Sequence, residues 1–256
     1  MAEQEARVTV AEGLGFSKVN GQDLLCDVFT PPGLTGPAPA ILLIHGGAWM
    51  LGDRTQLKGY GFLFGREGYV CVAMQYRLSG QAKWPAQMQD VQAALAWMHE
   101  NHQKLGIDPN RIAMLGHSSG GHMALMAAGQ NLVTGGPKTC GIISFYAPVE
   151  LTKGAEMLKE PIEKMLGADA SPEAYAKASP INLVKPGFPP TLILQSSTDD
   201  IVPRQQSLIM YEKMLAAGCP VELHMFDRIQ HALDASKEMS RLSVALITNF
   251  LTRHCG

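Results

Sequence analysis

Six short runs in this chain are dominated by apolar residues: Ala40–Ile44, Tyr69–Met74, Ile112–Leu115, Gly141–Tyr146, Thr191–Leu194 and Val221–Phe226, the last interrupted by Glu222 and His224. A strand with one wet face alternates polar and apolar residues. A run that is apolar at every position has to be covered on both sides, which is the situation of a parallel sheet sandwiched between helices. The intervening segments supply those helices. Gln87–Leu105 carries Met88, Val91, Ala94, Leu95, Met98 and Leu105 at helical spacing, and Gly121–Ala128 is small and apolar. Arg204–Ala217 and Ser236–His254 complete the set, the last with Met239, Leu242, Leu246 and Phe250 on one stripe. Near the start, Phe16–Val19 and Leu24–Phe29 flank Asn20-Gly21, the signal for a two-residue antiparallel hairpin, and Pro31, Pro32, Gly33 and Gly36 close it. Alternating β and α segments without a break in composition predict one doubly wound α/β domain over residues 1–256, with a mostly parallel sheet of about eight strands and helices on both faces. Only Val149–Pro190 interrupts the rhythm. It offers two short helical stretches (Ala155–Leu166 and Pro172–Ala178) and several prolines, and reads as a small lid insertion at about 149–190, or else as a connector helix with a long loop.

Composition excludes several classes of function. With 46% hydrophobic and 17% charged residues, the 256-residue chain can bury a full core and is not a disordered polymer. Its 21 basic and 23 acidic residues leave a net charge of −2, without the basic excess that a nucleic-acid backbone demands. No apolar run approaches the roughly 20 residues that span a bilayer. The first ten residues, MAEQEARVTV, lack the apolar stretch of a signal peptide, so a cytoplasmic location is expected. Cys26, Cys71, Cys140, Cys219 and Cys255 are odd in number and widely spaced and contain no C-x-x-C pair. Free thiols at apolar positions are therefore expected, rather than disulfides or metal ligands.

The chemistry centres on Gly116-His117-Ser118-Ser119-Gly120, followed by Gly121. G-x-S-x-G is weak by itself, but here the strand candidate Arg111–Leu115 precedes it and the helix candidate Gly121–Ala128 follows. A strand-to-helix reversal within a few residues strains the backbone at the serine and requires small neighbours. It also lifts the Ser118 hydroxyl above the sheet, at a helix N-terminus that favours developing negative charge. A serine needs a base, and of eight histidines His231 is the best placed, in the loop between the last apolar strand and the final helix. His224 lies within that strand, while His99, His102 and His254 fall on polar helix faces. The acid should leave another strand end, and the exit loop of Thr191–Gln195 carries both Asp199 and Asp200, which spacing alone does not separate. After the strand at Ile41–Ile44 comes His45-Gly46-Gly47-Ala48-Trp49, a loop whose glycines let backbone amides turn into the site. Within the Gly46–Ala48 turn, the expected oxyanion donors are the amides of Gly47 and Ala48, joined by that of Ser119.

Taken together, HGGAW, GHSSGG, TDDIVP and RIQHAL resemble the α/β-hydrolase-fold esterases, in particular bacterial esterases related to hormone-sensitive lipase and to the feruloyl esterase-like, prolyl-oligopeptidase-related branch. QYRLS at 75–79, GIDPNRI at 106–112 and ASPINLV at 178–184 support the resemblance, which runs from about Ala38 to the C-terminus. It implies the order Ser118, Asp199, His231, and its D-x-x-V-P pattern selects Asp199 over Asp200. The chain departs from the family pattern at Ala48, where a third glycine is usual, and at Ala232-Leu233, where H-G-F is usual. It also lacks the long N-terminal cap of the hormone-sensitive-lipase group.

The implied activity is hydrolysis of carboxylic esters through an acyl-serine, with no cofactor and no metal. Ser118 would attack, His231 would accept and return the proton, and Asp199 would orient the imidazole. Such a base loses activity on the acid side as its imidazole protonates. Trp49, Met50, His117 and Tyr146 are candidates for the substrate pocket, whose bulky wall favours short acyl groups. An arylformamidase or a carbohydrate (acetyl or feruloyl) esterase would share this apparatus; a peptidase or a non-catalytic binding protein on the same fold fits less well. The expected partner is a small-molecule ester, with the last strand and the terminal helix as candidate contacts for a homodimer.

Overall fold

The computed structural model describes residues 7–152 and 156–256. Residues 1–6 of the N-terminal reading, and Ala155 at the start of the first expected lid helix, lie outside the described residues. The chain order is β1 (Thr9–Val19), β2 (Gln22–Thr30), β3 (Ala38–Ile44), α1 (Lys58–Arg66), β4 (Val70–Met74), α2 (Ala86–Glu100), α3 (His102–Leu105), β5 (Ile107–His117) and α4 (Ser119–Thr134). It continues with β6 (Gly141–Phe145), α5 (Lys159–Leu166), α6 (Pro172–Lys177), β7 (Thr191–Ser196), α7 (Gln205–Ala216), β8 (Val221–Phe226) and α8 (Lys237–His254).

All eight strands form one sheet in the order β1-β2-β4-β3-β5-β6-β7-β8. The β1–β2 and β2–β4 pairs are antiparallel, and every other pair is parallel. Asn20 and Gly21 turn the β1–β2 hairpin with φ of 51° and 82°, the two left-handed residues that such a turn requires. Two-sided burial accounts for the continuous apolar runs. In β3, Ala40, Leu42 and Ile44 pack into the core beneath α2, α4 and α7, whereas Ile41 and Leu43 pack into the opposite core beneath α1 and α8. β8 lies at an edge and is only half-buried, and His224 there pairs with Glu222 Oε1 at 2.7 Å.

Three expectations are corrected. The helix read over 87–105 is two helices, interrupted at Asn101, whose side-chain amide donates to the Trp97 carbonyl at 2.9 Å. α8 buries Ser243, Val244, Ile247, Phe250 and Leu251, while Leu242 is 45% exposed, so its inward stripe is rotated from the one expected. Both stripes share helical spacing and Phe250, and a small serine can face inward without a large cost, so apolarity alone does not distinguish them. Finally, Cys140 and Cys255, with Cα atoms 5.3 Å apart, form a disulfide that joins the start of β6 to the end of α8. Spacing in sequence carries no information about a contact between residues 115 positions apart. Cys26, Cys71 and Cys219 are free and buried.

The 149–190 interval contains no strand among the described residues, and it is packed onto the domain rather than looped away from it. Ile162, Met165 and Ala178 are fully buried in the core. The Met165 carbonyl accepts from the Trp84 amide at 3.0 Å, and the Val149 amide donates to Gln206 Oε1 at 2.7 Å. Among the described residues no helix is long and apolar enough to cross a membrane.

Candidate active site

The reversal between β5 and α4 takes a single residue. Ser118 has φ 51° and ψ −116°, a conformation an L-residue holds only when its surroundings enforce it. The enforcement is visible on both sides. The Ser118 amide donates to the Phe145 carbonyl at 2.8 Å, and its carbonyl accepts from the His122 amide at 3.0 Å. A Cβ at Gly116 would lie 2.3 Å from the Gly120 carbonyl, and one at Gly120 would lie 2.2 Å from the Ile44 carbonyl oxygen, so the turn closes only with glycine at both.

The carboxyl ends of three other strands supply the rest of the constellation. His231, in the β8–α8 loop, directs Nδ1 at both Asp199 oxygens, at 3.0 and 2.9 Å. The Asp199 carboxylate is further held by the amides of Ile201 and Val202 at 2.9 and 2.8 Å and by Gln195 Nε2 at 3.1 Å. Burial alone would raise its pKa, but the imidazole and the two amides outweigh burial and hold it below the usual carboxylate range. Asp200 accepts from the backbone amide of His231 at 3.4 Å instead. The two adjacent carboxylates thus divide between the side chain and the main chain of one histidine. Ser118 and His231 border one cavity of about 750 Å³, and no hydrogen bond joins them among the described residues, which leaves Nε2 uncommitted. Hydrogen bonds of this kind are often long before substrate is bound.

At the end of β3 the chain coils through Gly47 (φ 116°), Ala48 (φ 52°) and Trp49 (φ 59°), with the Gly47 carbonyl accepting from the amides of Met50 and Leu51, both at 2.9 Å. Tyr76 stacks on His45 with ring centroids 4.2 Å apart, and its hydroxyl donates to the His45 carbonyl at 3.2 Å. Burial pushes the His45 imidazole below its ordinary pKa. Among the described residues the amides of Gly47, Ala48 and Ser119 have no hydrogen-bond partner. Gly46, Gly47 and Ala48 border the cavity, and Ser119 opens α4 just behind it.

Of the four expected pocket residues, His117 and Tyr146 border the cavity, whereas Trp49 and Met50 do not. The left-handed turn at Ala48 and Trp49 swings the indole beneath the loop, where it is 0% exposed and donates to His122 Nδ1 at 3.2 Å. His122 Nε2 in turn donates to the Ala178 carbonyl at 2.7 Å. Leu51, 66% exposed, takes the rim position instead, and Leu57, Leu63, Leu158 and Ile201 complete the apolar wall. The sequence also gave no warning of a polar wall. Asp234, buried three residues after His231, accepts from the hydroxyls of Tyr146 and Tyr60, both at 2.8 Å. His117 Nε2 lies 3.4 Å from the same carboxylate, and burial pushes this imidazole below its ordinary pKa despite the nearby charge. No motif in the sequence marks Asp234 or Tyr60. Among the described residues no group of three or more His, Cys, Asp or Glu is placed to hold a metal ion.

A family model described as BD-FAE matches residues 26–214, most of the chain. The chain belongs to the BD-FAE family. The matched span contains Ser118, Asp199 and the 45–49 loop; His231 lies beyond it. Among curated relatives, this BD-FAE chain is 30% identical over 206 residues to esterase LipC of Mycobacterium tuberculosis, covering 72% of this chain and 50% of LipC. It is 30% identical over 220 residues to carboxylesterase NlhH of the same organism, covering 78% of this chain and 68% of NlhH. The chain therefore spans half the length of LipC. A solved structure described as a truncated form of a carbohydrate esterase from gut microbiota superposes with a TM-score of 0.83 at 22% identity, covering 97% of this chain and 98% of that one, which establishes a shared fold.

Proposed function

We propose that this BD-FAE chain is a carboxylic ester hydrolase that works through an acyl-serine intermediate. The observation that carries the reading is the meeting, in one cavity, of a serine on a strained elbow, an imidazole oriented by a buried carboxylate, and a loop with unpartnered amides. Ser118 Oγ attacks the ester carbonyl carbon as His231 Nε2 takes its proton, and the carbonyl π pair moves onto oxygen. The amides of Gly47, Ala48 and Ser119 receive that oxyanion; losing one such donor typically costs about 2.7–4 kcal/mol of barrier. Collapse of the intermediate expels the alkoxide, which recovers the proton from His231. Water, activated by the same imidazole, then cleaves the acyl-serine and restores the hydroxyl. Asp199 keeps Nδ1–H bound, so that Nε2 is the basic nitrogen, and stabilises the imidazolium.

The substrate side follows from the walls. About 750 Å³ is ample for a small ester, but one wall carries a buried carboxylate and two phenols. Apolar area laid against these polar groups gains less than area laid against a wholly apolar wall, so each added methylene returns little. Short acyl chains are therefore the preferred substrates, and the 149–190 insertion contributes Leu158 to the wall as a lid. A fluorophosphonate should give a single adduct on Ser118 that is absent in Ser118→Ala. In a p-nitrophenyl ester series, faster turnover of the C12 than the C4 ester would refute the chain-length assignment.

A further inference from the structure

Asp234 is a buried carboxylate that the reaction scheme does not use. It is 8% exposed, no lysine or arginine pairs with it among the described residues, and its hydrogen-bond donors are the hydroxyls of Tyr60 on α1 and Tyr146 after β6. A buried charge of this kind is expensive unless its bonds accomplish something that a packed apolar side chain would not. Burial raises the pKa of both phenols, with the Asp234 charge adding to it, so both remain protonated and donate.

Their arrangement relative to His231 gives the carboxylate a purpose. The Tyr146 ring packs against the imidazole, with centroids 4.5 Å apart and planes at 62°. Tyr146 itself has φ 38° and Ala232, next to His231, has φ 60°, so the residue packed on the imidazole and the residue that follows the histidine in the chain both stand on strained backbone. Asp199 grips the imidazole through Nδ1 alone, with nearly equal distances to its two oxygens, and a contact at one ring atom does not by itself fix the tilt of the ring. The Tyr146 ring sets that tilt only if it is itself fixed. Asp234 fixes it, and does so from the far end of the four-residue segment that bears the imidazole.

Resting on the ester-hydrolase reading above, we propose that Asp234 is a positioning residue that holds the His231 imidazole over Ser118 by way of Tyr146. Tyr60 shares the carboxylate but does not pack on the imidazole, which supplies the control. Both Tyr146→Phe and Tyr60→Phe remove one buried hydrogen bond to Asp234; only the first releases the ring against His231.

The test measures the rate of fluorophosphonate labelling of Ser118, together with kcat and KM for p-nitrophenyl butyrate, in full-length wild type, Asp234→Ala, Tyr146→Phe and Tyr60→Phe. Asp234→Ala and Tyr146→Phe should slow labelling and kcat by about tenfold or more with KM within about twofold, the signature of a misplaced base rather than lost binding. The loss in Tyr146→Phe should exceed that in Tyr60→Phe by about fivefold. Equal losses in the two tyrosine variants, no loss in Tyr146→Phe, or a change confined to KM would overturn the proposal, and the tyrosine pair decides the matter even if Asp234→Ala fails to fold. Wild-type labelling on a residue other than Ser118 would overturn the ester-hydrolase reading along with it; labelling on Ser118 with Tyr146→Phe unaffected overturns this inference alone.

Discussion

Acidification should destabilise the protein through one identifiable side chain, His122. Its imidazole is 0% exposed and held between two fixed partners: Nδ1 receives the Trp49 indole N–H, and Nε2 donates to the Ala178 carbonyl. The Trp49 nitrogen can only donate, so Nδ1 has to remain unprotonated, and a second proton would set two N–H groups against each other in a dry site. Burial accordingly pushes the His122 pKa from 6.5 to about 4. The sign follows from linkage. Between these values the unfolded chain binds a proton that the folded chain refuses, so stability falls as the pH drops through this window and levels off below the folded pKa. At about 1.4 kcal/mol per pH unit the displacement amounts to about 3 kcal/mol, with no discount for solvent because the group is fully buried. For an m value of about 2–3 kcal/mol/M in urea, the midpoint should move by about 1 M or more between pH 7 and pH 4. His45 and His117, also depressed by burial, contribute in the same direction. Comparing wild type with His122→Gln separates them: the variant starts less stable at pH 7, but its midpoint should move less on acidification. Equal movement in both proteins would show that His122 is not the group refusing the proton, and the burial argument would fail.

The other predictions concern the backbone and the crosslink. Gly120→Ala should abolish soluble expression or activity, because its Cβ would stand 2.2 Å from the Ile44 carbonyl oxygen, where neither backbone can yield; an active, normally stable variant would contradict the close packing at the elbow. Replacing both Cys140 and Cys255 by serine should cost about 2–4 kcal/mol in denaturant unfolding, and a reductant should lower the Tm of wild type but not of the variant. Ala48→Gly should relieve the left-handed strain at φ 52° and raise stability by up to about 1 kcal/mol, while a looser donor loop lowers kcat; a loss of stability would mean that the Ala48 methyl contributes more than its backbone strain costs.

What was legible in the sequence was whatever hydrophobic pattern or local turn chemistry dictates. β3 and β4 announce themselves because Ile41 and Leu42, or Cys71 and Val72, face opposite cores and both must be apolar. Asn20-Gly21 specifies its own turn, and the elbow glycines mark Ser118 because no other residue closes that reversal. What remained hidden depends on contacts between distant segments. The Cys140–Cys255 bond spans 115 positions, and the Asp234–Tyr60 bond spans 174. The position of Trp49 directly after the donor loop predicts a pocket wall, yet the sign of φ at Ala48 and Trp49 decides which way the indole points, and residue identity does not reveal that sign.

Non-glycine residues with positive φ are the clearest trace of what this fold sacrifices for its site. There are seven among the described residues, and five of them, Ala48, Trp49, Ser118, Tyr146 and Ala232, border the cavity or belong to the loop that supplies its amides. Each such conformation costs on the order of 1–3 kcal/mol and persists only where the neighbouring structure over-determines it. The neighbours here are the ends of β3, β5 and β6, whose residues are buried on both faces and hydrogen-bonded on both edges, so the sheet is the part of the molecule least able to relax. Strain at the sheet's carboxyl edge is therefore held by the most rigid layer available. His231 is the exception: it follows β8, a half-buried edge strand, and its loop reaches the site without that support. An edge-strand loop must obtain its rigidity from side chains, and this one is tied by two buried carboxylates, Asp199 reaching in from the β7–α7 loop and Asp234 reaching out from the loop itself to Tyr60 and Tyr146, while the serine and the donor loop are held chiefly by backbone hydrogen bonds and close glycine packing.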